Sequence, residues 1–328
     1  MKALFIIGGF GKGSLHRSQD IIKKLNLRNT HSYIDVISAH KPDKSNYIQN
    51  SFQQKRLTYN PSETNLLKAF IQILFQLVFV IQNSITQVKI IFKNHYDTIY
   101  IDSDYSLLFW FLFYRGNLIS INTSPFTIKE PFNFNFQYLC EFFEYYFYKA
   151  TTYQTIVPIF FLDNSDHLDY KEKNYNYIPM LEEVIAPESS YVEKISLTYL
   201  TGGTDYNLHQ EILPILKRMN HFVVNIVGIE DKSFDHITYH GKIERNEALK
   251  ICQSSHILLI HGGFSSVNES LTLSKPTLCI PLPNHFEQNT NANYAAKNLD
   301  WFINTNILSI EEDLNLLTKK YYSLKRIN

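Results

Sequence analysis

A glycine turn between two apolar runs, within residues 255–293, constrains this chain more than any other stretch. The first run, residues 257–260, has the length and composition of a buried strand and ends in the His-Gly-Gly sequence of residues 261–263. A segment with helical periodicity follows, then a second apolar run at 277–280 and a loop that ends at 287–289. The order strand, turn, helix, strand predicts a parallel pair joined by a crossover helix. The fold class is therefore expected to be α/β.

The glycine turn is suited to binding an anion. The N–H groups at the start of a helix have no acceptor within the helix, and the helix dipole is positive there. Gly262 and Gly263 lack a Cβ, so a phosphate or diphosphate could approach the backbone closely. Glu269, about one helical turn further on, could accept hydrogen bonds from a ribose diol. Glu287 and Gln288 follow the next strand, at the edge where open α/β sheets bind ligands.

Each of these features also has a purely structural interpretation. Ser266 and Glu269 fit a capping box, in which the carboxylate returns to the backbone of Ser266. Glu287 and Gln288 would then be solvated loop residues, and His261 would be a hydrogen-bonded histidine at a strand end. The order of these features along the chain favours a ligand site over the separate explanations.

The whole pattern resembles the donor-site signature of nucleotide-sugar glycosyltransferases of the GT-B fold. That signature runs H-x-G-x-x-S-x-x-E-x-L, then x-P-x-L-x-x-P, then E/D-Q-x-x-N-A. The chain matches it at His261, Gly263, Ser266, Glu269, Leu271, Pro276, Leu278, Pro281, Glu287, Gln288, Asn291 and Ala292. The resemblance is greatest to the branch that contains plant and bacterial UDP-glycosyltransferases and the lipid-linked N-acetylglucosaminyltransferase of peptidoglycan synthesis.

This resemblance implies two Rossmann-like doubly wound domains facing a cleft. An acceptor domain is expected at residues 1–190, a donor domain at 191–310, and a terminal helix at 311–328 that packs back on the first domain. In the family, the glycine-rich turn holds the diphosphate, the Glu holds the ribose, and the acid-Gln pair contacts the donor sugar. The donor-binding residues implied here are Gly203, Thr204, Ile243, His261, Gly262, Gly263, Ser265, Ser266, Glu269, Glu287 and Gln288.

The first predicted strand covers residues 3–7, and a second glycine-rich turn follows it at residues 8–14. It resembles the N-terminal glycine loop of the same family, G-x-G-H-x-x-R. Gly11, Gly13 and Arg17 match, but Ser14 stands at the histidine position. In the family that histidine helps catalysis or orients the acceptor, so the chain lacks the usual catalytic base. A tight turn in a doubly wound sheet would explain the loop equally well.

Two further residues are candidates for proton transfer. His16 follows the glycine loop, although on a helix its side chain would point elsewhere than that of position 14. Asp104 follows the predicted strand at 98–101, where a carboxylate could orient or deprotonate an acceptor hydroxyl. The Asp-Ser-Asp spelling at 102–104 also occurs in metal-binding transferases of another fold. Two acids at a strand end are common, and no metal site is expected.

The rest of the chain alternates strand-like and helix-like segments. Further strands are predicted at residues 32–38, 98–101, 118–121, 156–161, 195–200 and 222–227, and a short strand and loop at 237–243. Further helices are predicted at 15–25, from 63 into the nineties, and at 107–114, 209–219, 247–253 and 309–327. The segments 39–62 and 163–190 are polar and are predicted to be connections, the second containing the interdomain linker.

Composition excludes several other classes of protein. Lys+Arg and Asp+Glu both number 31, so the net charge is zero, which argues against a nucleic-acid binder. A chain of 328 residues suits two domains. Its three cysteines show neither metal nor disulfide spacing, and its start reads as a strand and not as a signal peptide. A cytoplasmic protein without a resident cofactor is expected.

Two apolar segments leave a membrane contact open. Residues 66–82 are apolar on most faces but are interrupted by Lys68, Gln72 and Gln76, which argues against a spanning helix. A buried core helix is favoured over an amphipathic face resting on the inner surface of a membrane. Residues 132–148 are dense in aromatic side chains, a surplus of which could form an exposed acceptor-binding or membrane-facing patch.

Together these features predict a glycosyltransferase. It would move a sugar from a nucleotide diphosphate donor, a UDP-sugar by the resemblance, to an acceptor hydroxyl, with inversion and without metal. The acceptor could be a glycan, a lipid-linked molecule or a small molecule. Two alternatives stay open: a nucleotide-sugar hydrolase or epimerase on the same fold, and a non-catalytic protein that binds nucleotide or lipid.

Overall fold

Two compact units divide the chain, Met1–Met180 and Leu181–Asn328. The computed structural model describes residues 1–8, 13–42, 47–56, 66–106, 110–128, 136–160, 174–180, 194–202 and 208–325. Each unit is built on a parallel sheet with helices between its strands, as expected for an α/β protein. The sequence predicts the boundary after residue 190, ten residues beyond the division that the structure shows.

The first unit contains a sheet that winds in both directions from β1. Its strands, among the described residues, are β1 (Lys2–Ile7), β2 (Tyr33–Ser38), β3 (Asn50–Gln53), β4 (Thr98–Asp102), β5 (Asn117–Ile121), β6 (Gln154–Ile159) and β7 (Tyr175–Pro179). They lie in the order 3-2-1-4-5-6-7. The apolar strands β1 and β4 are central and buried on both faces, as parallel strands usually are. The edge strands β3 and β7 lie in the two segments predicted to be polar connections, and in those stretches the prediction is wrong.

Helices cover this sheet. Their bounds are α1 (Gly13–Lys24), α2 (Leu27–Thr30), α3 (Leu66–Asn94), α4 (Ser124–Thr127) and α5 (Phe136–Thr151). The helix predicted at 107–114 is, in its described part, a 3₁₀ turn at Phe111–Phe113. Ile91 of α3 and Tyr148 of α5 share one hydrophobic cluster with Trp110, so both helices pack on the same side of the sheet.

The long helix α3 corrects one prediction. Instead of being a core helix, it exposes Phe75 and Val78, which are 69% and 55% accessible. Its buried face includes the polar side chains of Asn83 and Gln87. Because the segment is apolar on most faces, its sequence did not specify which face turns inward. The buried face is instead determined by the polar groups inside the unit that Asn83 and Gln87 contact.

The second unit has the same winding. Its described strands are β8 (Ile195–Leu200), β9 (Phe222–Val227), β10 (Ile237–Tyr239), β11 (Ile257–Ile260), β12 (Thr277–Cys279) and β13 (Phe302–Asn304), in the order 10-9-8-11-12-13. Its helices are α6 (His209–Arg218), α7 (Arg245–Ser254), α8 (Phe264–Thr272), α9 (Phe286–Asn298) and α10 (Ile310–Lys325). The predicted strands and helices of this unit agree closely with these bounds, except that neither α9 nor β13 was predicted; the start of α9 lies where a loop was expected.

The terminal helix α10 contributes to the core of the second unit. Ile310, Leu314, Leu317 and Tyr321 lie in the cluster formed with the strands of the second sheet. They recur at intervals of three or four residues, so they form the apolar face of an amphipathic helix. That the helix also packs on the first domain stays a prediction.

A buried ion pair fastens α1 to the end of β4. Both Nε and Nη2 of Arg17 donate to the carboxylate of Asp102, with 3.3 Å between Nε and Oδ2. Ser18 Oγ donates to the same carboxylate at 2.7 Å. Asp102 is fully buried, and Gly8 N donates to its backbone carbonyl at 2.9 Å. A carboxylate removed from water in this way depends on its partners.

Replacing Arg17 should therefore destabilise the first unit. We expect Arg17→Ala to lower the free energy of unfolding by about 3–5 kcal/mol, because it leaves Asp102 buried without its cation. Urea unfolding followed by circular dichroism measures the loss. The matched control is Arg28→Ala, since Arg28 is exposed and should change stability by no more than about 0.5 kcal/mol. Equal stability of the two variants would contradict the structural role assigned to Arg17.

Candidate functional site

The second sheet changes its direction of winding between β8 and β11. These strands pair in parallel, with Tyr199 opposite Leu259. Each is followed by a glycine in the left-handed region, Gly202 with φ 82° and Gly262 with φ 81°. In open parallel sheets, ligands bind beyond the carboxyl ends of the strands at this kind of switch point. The turn predicted to bind an anion therefore lies where the topology favours a ligand.

Gly262 is required by both its backbone and its neighbours. A Cβ at this position would lie 2.8 Å from the carbonyl oxygen of Gln288 and 3.1 Å from Cys279 Sγ. The fully buried Asn291 donates through Nδ2 to the Gly262 carbonyl at 3.1 Å. Helix α9, which carries both Gln288 and Asn291, thus holds the turn in place. Asn291 matches the family signature, but the sequence analysis assigned it no role.

Gly263 differs from its neighbour. It has φ −60° and ψ 143°, and a Cβ would meet only Ser266 Oγ, at 3.7 Å. Gly263 is the N-cap of α8, since Val267 N donates to its carbonyl at 3.0 Å. Ser266 lies inside the first turn, and its hydroxyl donates to the same carbonyl at 2.9 Å. The capping-box interpretation is wrong, because the helix begins before Ser266.

Glu269 pairs with a side chain from another helix. Its Oε1 accepts from Arg245 Nε at 2.8 Å, and the two side chains are 16% and 15% exposed. Arg245 is the first residue of α7. It follows the loop that carries the half-buried Ile243, one of the donor-binding residues that the family resemblance implies. The ion pair therefore ties this loop to α8.

His261 uses both ring nitrogens within the second unit. Nδ1 lies 3.0 Å from the Ile280 carbonyl and must donate, because a carbonyl only accepts. Nε2 then accepts from the Tyr199 hydroxyl, 2.9 Å away. Burial lowers the pKa of His261, which favours this neutral form. These bonds join β8, β11 and the end of β12, and they leave neither ring nitrogen for a ligand.

The acid-Gln pair lies on a helix and not on the predicted loop. Glu287 and Gln288 occupy the first turn of α9, and Glu287 is half-buried. Gln288 Oε1 accepts from Leu282 N at 2.9 Å. The structure thus brings Gln288 against Gly262, and places Ser265 in the first turn of α8 just beyond it.

The predicted residues of the first unit lie near the corresponding switch point, between β1 and β4. Gly13 begins α1, with Ser14 and His16 half-buried on it, while Arg17 is engaged with Asp102. Gly11, Gly203 and Thr204 lie outside the described residues. The glycine-loop assignments therefore stay predictions.

Asp104 is a buried and fully bonded carboxylate. Its oxygens accept from Gln54 Nε2 at 2.9 Å, Gln87 Nε2 at 3.1 Å and Ser106 N at 2.8 Å. It is only 3% exposed. This arrangement is that of a structural anion, which links α3 to the residues that follow β3 and β4. Its predicted catalytic role would require it to give up these bonds.

Glu144 on α5 was missed by the sequence analysis. It is buried and accepts from the Tyr105 hydroxyl at 2.9 Å, next to Asp104 in the chain. Burial, and secondarily the charge of Glu141, raise the pKa of Glu144 to about 8. The only local signal was an acidic pair within the aromatic segment 132–148, three residues apart and so on one helix face.

Comparison with known proteins identifies the chain. The model of glycosyl transferase family 1 matches residues 151–315, slightly more than half of the chain. The chain belongs to glycosyl transferase family 1. No curated protein matches this glycosyltransferase.

Solved structures show the fold of this glycosyltransferase to be GT-B. Arabidopsis thaliana UGT89C1 in complex with quercetin aligns with a TM-score of 0.61 at 14% identity, over 99% of this chain and 90% of that one. CalG4, the calicheamicin glycosyltransferase, aligns with a TM-score of 0.57 at 15% identity, over 96% and 89%. A Listeria monocytogenes protein assigned as a UDP-N-acetylglucosamine 2-epimerase aligns with a TM-score of 0.60 at 8% identity, over 98% and 89%. At these identities the likeness establishes the fold alone.

The two glycines of the Gly262-Gly263 turn should respond differently to alanine. In this glycosyltransferase Gly262→Ala should lower the free energy of unfolding by about 1–3 kcal/mol, because it adds a clash to an unfavourable φ. Gly263→Ala, which meets no such clash, should change it by no more than about 0.5 kcal/mol. Thermal unfolding of both variants beside the wild type tests the difference. Equal stability of the two variants would refute the close contact of Gly262 with the Gln288 carbonyl of α9.

Glu144 should make stability depend on pH. Its native pKa of about 8 lies above the ordinary 4.5, so between these values the native state holds a proton that the unfolded chain has lost. The protonated Glu144 therefore contributes its full stabilisation below pH 4.5. As pH rises from there towards 8, the free energy of unfolding falls by up to about 1.4 kcal/mol per pH unit. Glu144→Gln should therefore gain stability relative to wild type as pH rises.

Urea midpoints measured across this pH window test the prediction. The control is Glu311→Gln, which alters a carboxylate that is 58% exposed. If the difference between Glu144→Gln and wild type varies with pH no more than that of the control, the assignment of Glu144 is wrong.

Proposed function

We propose that this glycosyltransferase takes its sugar from a UDP-sugar bound at the Gly262-Gly263 turn and transfers it, with inversion and without metal, to an acceptor hydroxyl. The observation that carries the proposal is the pair of left-handed glycines, Gly202 and Gly262, at the switch point of the second sheet beside the start of α8. UGT89C1, which has the same fold, has been solved with UDP and with UDP-L-rhamnose.

The diphosphate would lie against the start of α8. Helix N-termini attract anions through their N–H groups and their dipole, and Gly263 presents no side chain to obstruct the approach. Glu269 is held in position by Arg245, 2.8 Å away, and would accept from the ribose hydroxyls. The backbone around Ile243 would contact the base, and Glu287 and Gln288 the sugar.

The reaction is a displacement at the anomeric carbon. The acceptor oxygen forms a bond to this carbon while the bond to the β-phosphate oxygen breaks, and the hydroxyl proton passes to a base. The products are the glycosylated acceptor and UDP. Backbone N–H groups and the helix dipole stabilise the leaving diphosphate, so the chemistry calls for no metal ion.

Of the two residues predicted to accept the proton, we propose His16 as the base. Asp104 already accepts three hydrogen bonds inside the first unit. His16 is half-buried on α1, and imidazole side chains are common general bases. The acceptor would be a small hydroxyl compound such as the quercetin bound to UGT89C1.

Nucleotide binding tests the donor site. In a thermal-shift panel of UDP, TDP, GDP, CMP and ADP, UDP should stabilise the protein selectively. A ligand at about a hundredfold over its Kd adds roughly 2.7 kcal/mol. Gly263→Ala and Glu269→Ala should each lose at least about tenfold in affinity for UDP. The first places a methyl group where the diphosphate would approach the backbone, and the second removes the carboxylate that would accept hydrogen bonds from the ribose.

The matched control for Glu269 is Glu311→Gln, an exposed carboxylate on α10 of the same unit, which should bind UDP as the wild type does. Absence of a shift with every nucleotide would overturn the proposed donor. With UDP-sugars supplied, a glycosylated hydroxyl compound is the expected product. Free sugar or an epimerised nucleotide-sugar would instead identify a hydrolase or an epimerase.

A further inference from the structure

Helix α3 has inverted polarity. Among the α3 residues whose side chains are described, the buried ones are Val80, Asn83, Ser84, Gln87 and Ile91, and three of these five are polar. The opposite face exposes large apolar side chains: Ile71, Leu74, Phe75, Val78, Ile81, Ile85 and Phe92. A helix at a water-exposed surface shows the reverse pattern. The outer face of α3 is therefore suited to an apolar environment.

The inner face of α3 is fixed by specific hydrogen bonds. Asn83 Oδ1 accepts from Lys55 N at 2.8 Å, and its Nδ2 donates to the Lys55 carbonyl at 2.9 Å. Gln87 Nε2 donates to Asp104, and Gln87 Oε1 accepts from Trp110 Nε1 at 2.8 Å. Rotating the helix to bury its apolar side would break these bonds and leave polar groups unpaired inside the unit. The exposed apolar face is thus a stable feature of the fold.

Helix α5 adds to this surface. It packs on the same side of the sheet as α3 through their shared cluster, and it exposes Leu139, Phe142, Phe143 and Tyr146. Monomeric proteins rarely expose apolar patches larger than a few hundred Å², and larger ones mark interaction sites. We call the exposed apolar residues of α3 and α5 the apolar face.

The charged residues of α3 indicate which kind of partner the apolar face would contact. Helix α3 has no acidic residue along its 29 positions, while Lys68, Lys89 and Lys93 are exposed on it. A helix with an apolar outer side and lysines beside it is complementary to a bilayer with anionic headgroups: the apolar groups enter the acyl boundary and the ammonium groups remain among the phosphates.

The geometry indicates that the helix lies on the membrane and does not cross it. By length and composition alone, Leu74–Asn94 could span a bilayer. However, α3 joins β3 and β4, two strands of one sheet, and Asn83 and Gln87 bond to residues of that unit in the middle of this segment. A spanning helix would have to leave these partners in water while burying its own amides in hydrocarbon.

We infer that the apolar face of the first unit is a peripheral membrane-binding surface for a bilayer containing anionic lipid. This inference rests on the first unit only and is independent of the proposed donor. The interaction should combine apolar insertion, which salt does not weaken, with attraction of the lysines to headgroup phosphates, which salt screens.

Flotation of the full-length protein with vesicles tests the inference. Wild type should bind vesicles of mixed phosphatidylcholine and phosphatidylglycerol, and bind pure phosphatidylcholine more weakly. The triple variant Phe75→Gln, Val78→Gln, Ile85→Gln should lose at least about tenfold in partitioning to both vesicles, because it removes three inserting side chains. Leu308→Gln, at a residue of the second unit that is 96% exposed, is the matched control and should bind as the wild type does.

A second variant separates charge from insertion. Lys89→Gln with Lys93→Gln should weaken binding to the anionic vesicles by about fivefold per lysine and reduce its salt dependence, with little effect on neutral vesicles. The UDP thermal shift, measured on every variant, reports whether the chain is folded and whether the donor site is present, so that failure of one proposal is distinguishable from failure of the other.

Three outcomes would overturn the inference. The first is that wild type stays free of both kinds of vesicle, and the second is that the triple variant floats with the vesicles to the same extent as wild type. Alternatively, sedimentation could show a dimer that the triple variant dissociates, without vesicle binding, in which case the face contacts a second copy of the chain.

Discussion

Two buried carboxylates at the end of β4 govern how the first unit is assembled. Asp102 is satisfied by Arg17 and Ser18 of α1, on one side of the sheet. Asp104 is satisfied by Gln54 and by Gln87 of α3, which packs on the other side with α5. Because a buried charge must be bonded, each helix has to turn polar side chains inward. In α3 the inward-facing polar side chains leave the apolar residues on the outer side of the helix, so the apolar face follows from the need to bond a buried anion.

The second unit solves a different problem with the same topology. Its strand-end turn needs close backbone contact, and Gly262 provides it by lying against Gln288 while Asn291 holds its carbonyl. Gly8 plays the corresponding part in the first unit, where a Cβ would lie 2.2 Å from the Ser103 carbonyl oxygen. Among the described residues, the first unit packs charged side chains around its switch point, whereas the second places a helix start beside a glycine turn. A helix start of this kind presents backbone amides suited to an anion.

Sequence patterns predicted what is local and missed what depends on distant partners. The apolar runs of β1, β4 and β11 identified central strands, but the edge strands β3 and β7 have no such run. Glu269 lies 24 residues after its partner Arg245, a separation with no periodic signature. Glu287 and Gln288 were predicted in a loop, and the N-cap of α9, His285, is not a residue type that signals the start of a helix. In α3, hydrophobicity alone did not specify the buried face.

The same distinction explains why the local structure of the Gly262-Gly263 turn could be predicted and the packing of the first unit could not. The turn is built within one strand-helix-strand segment, so its residue types and spacing can be read together along the chain. The chemistry of the first unit is assembled from α1, α3, α5 and the ends of β3 and β4, which are far apart in sequence. Its buried acids are hidden among aromatic or apolar stretches, and Glu144 lies within such a stretch. A site dispersed in this way is visible only once the sheet has brought its parts together.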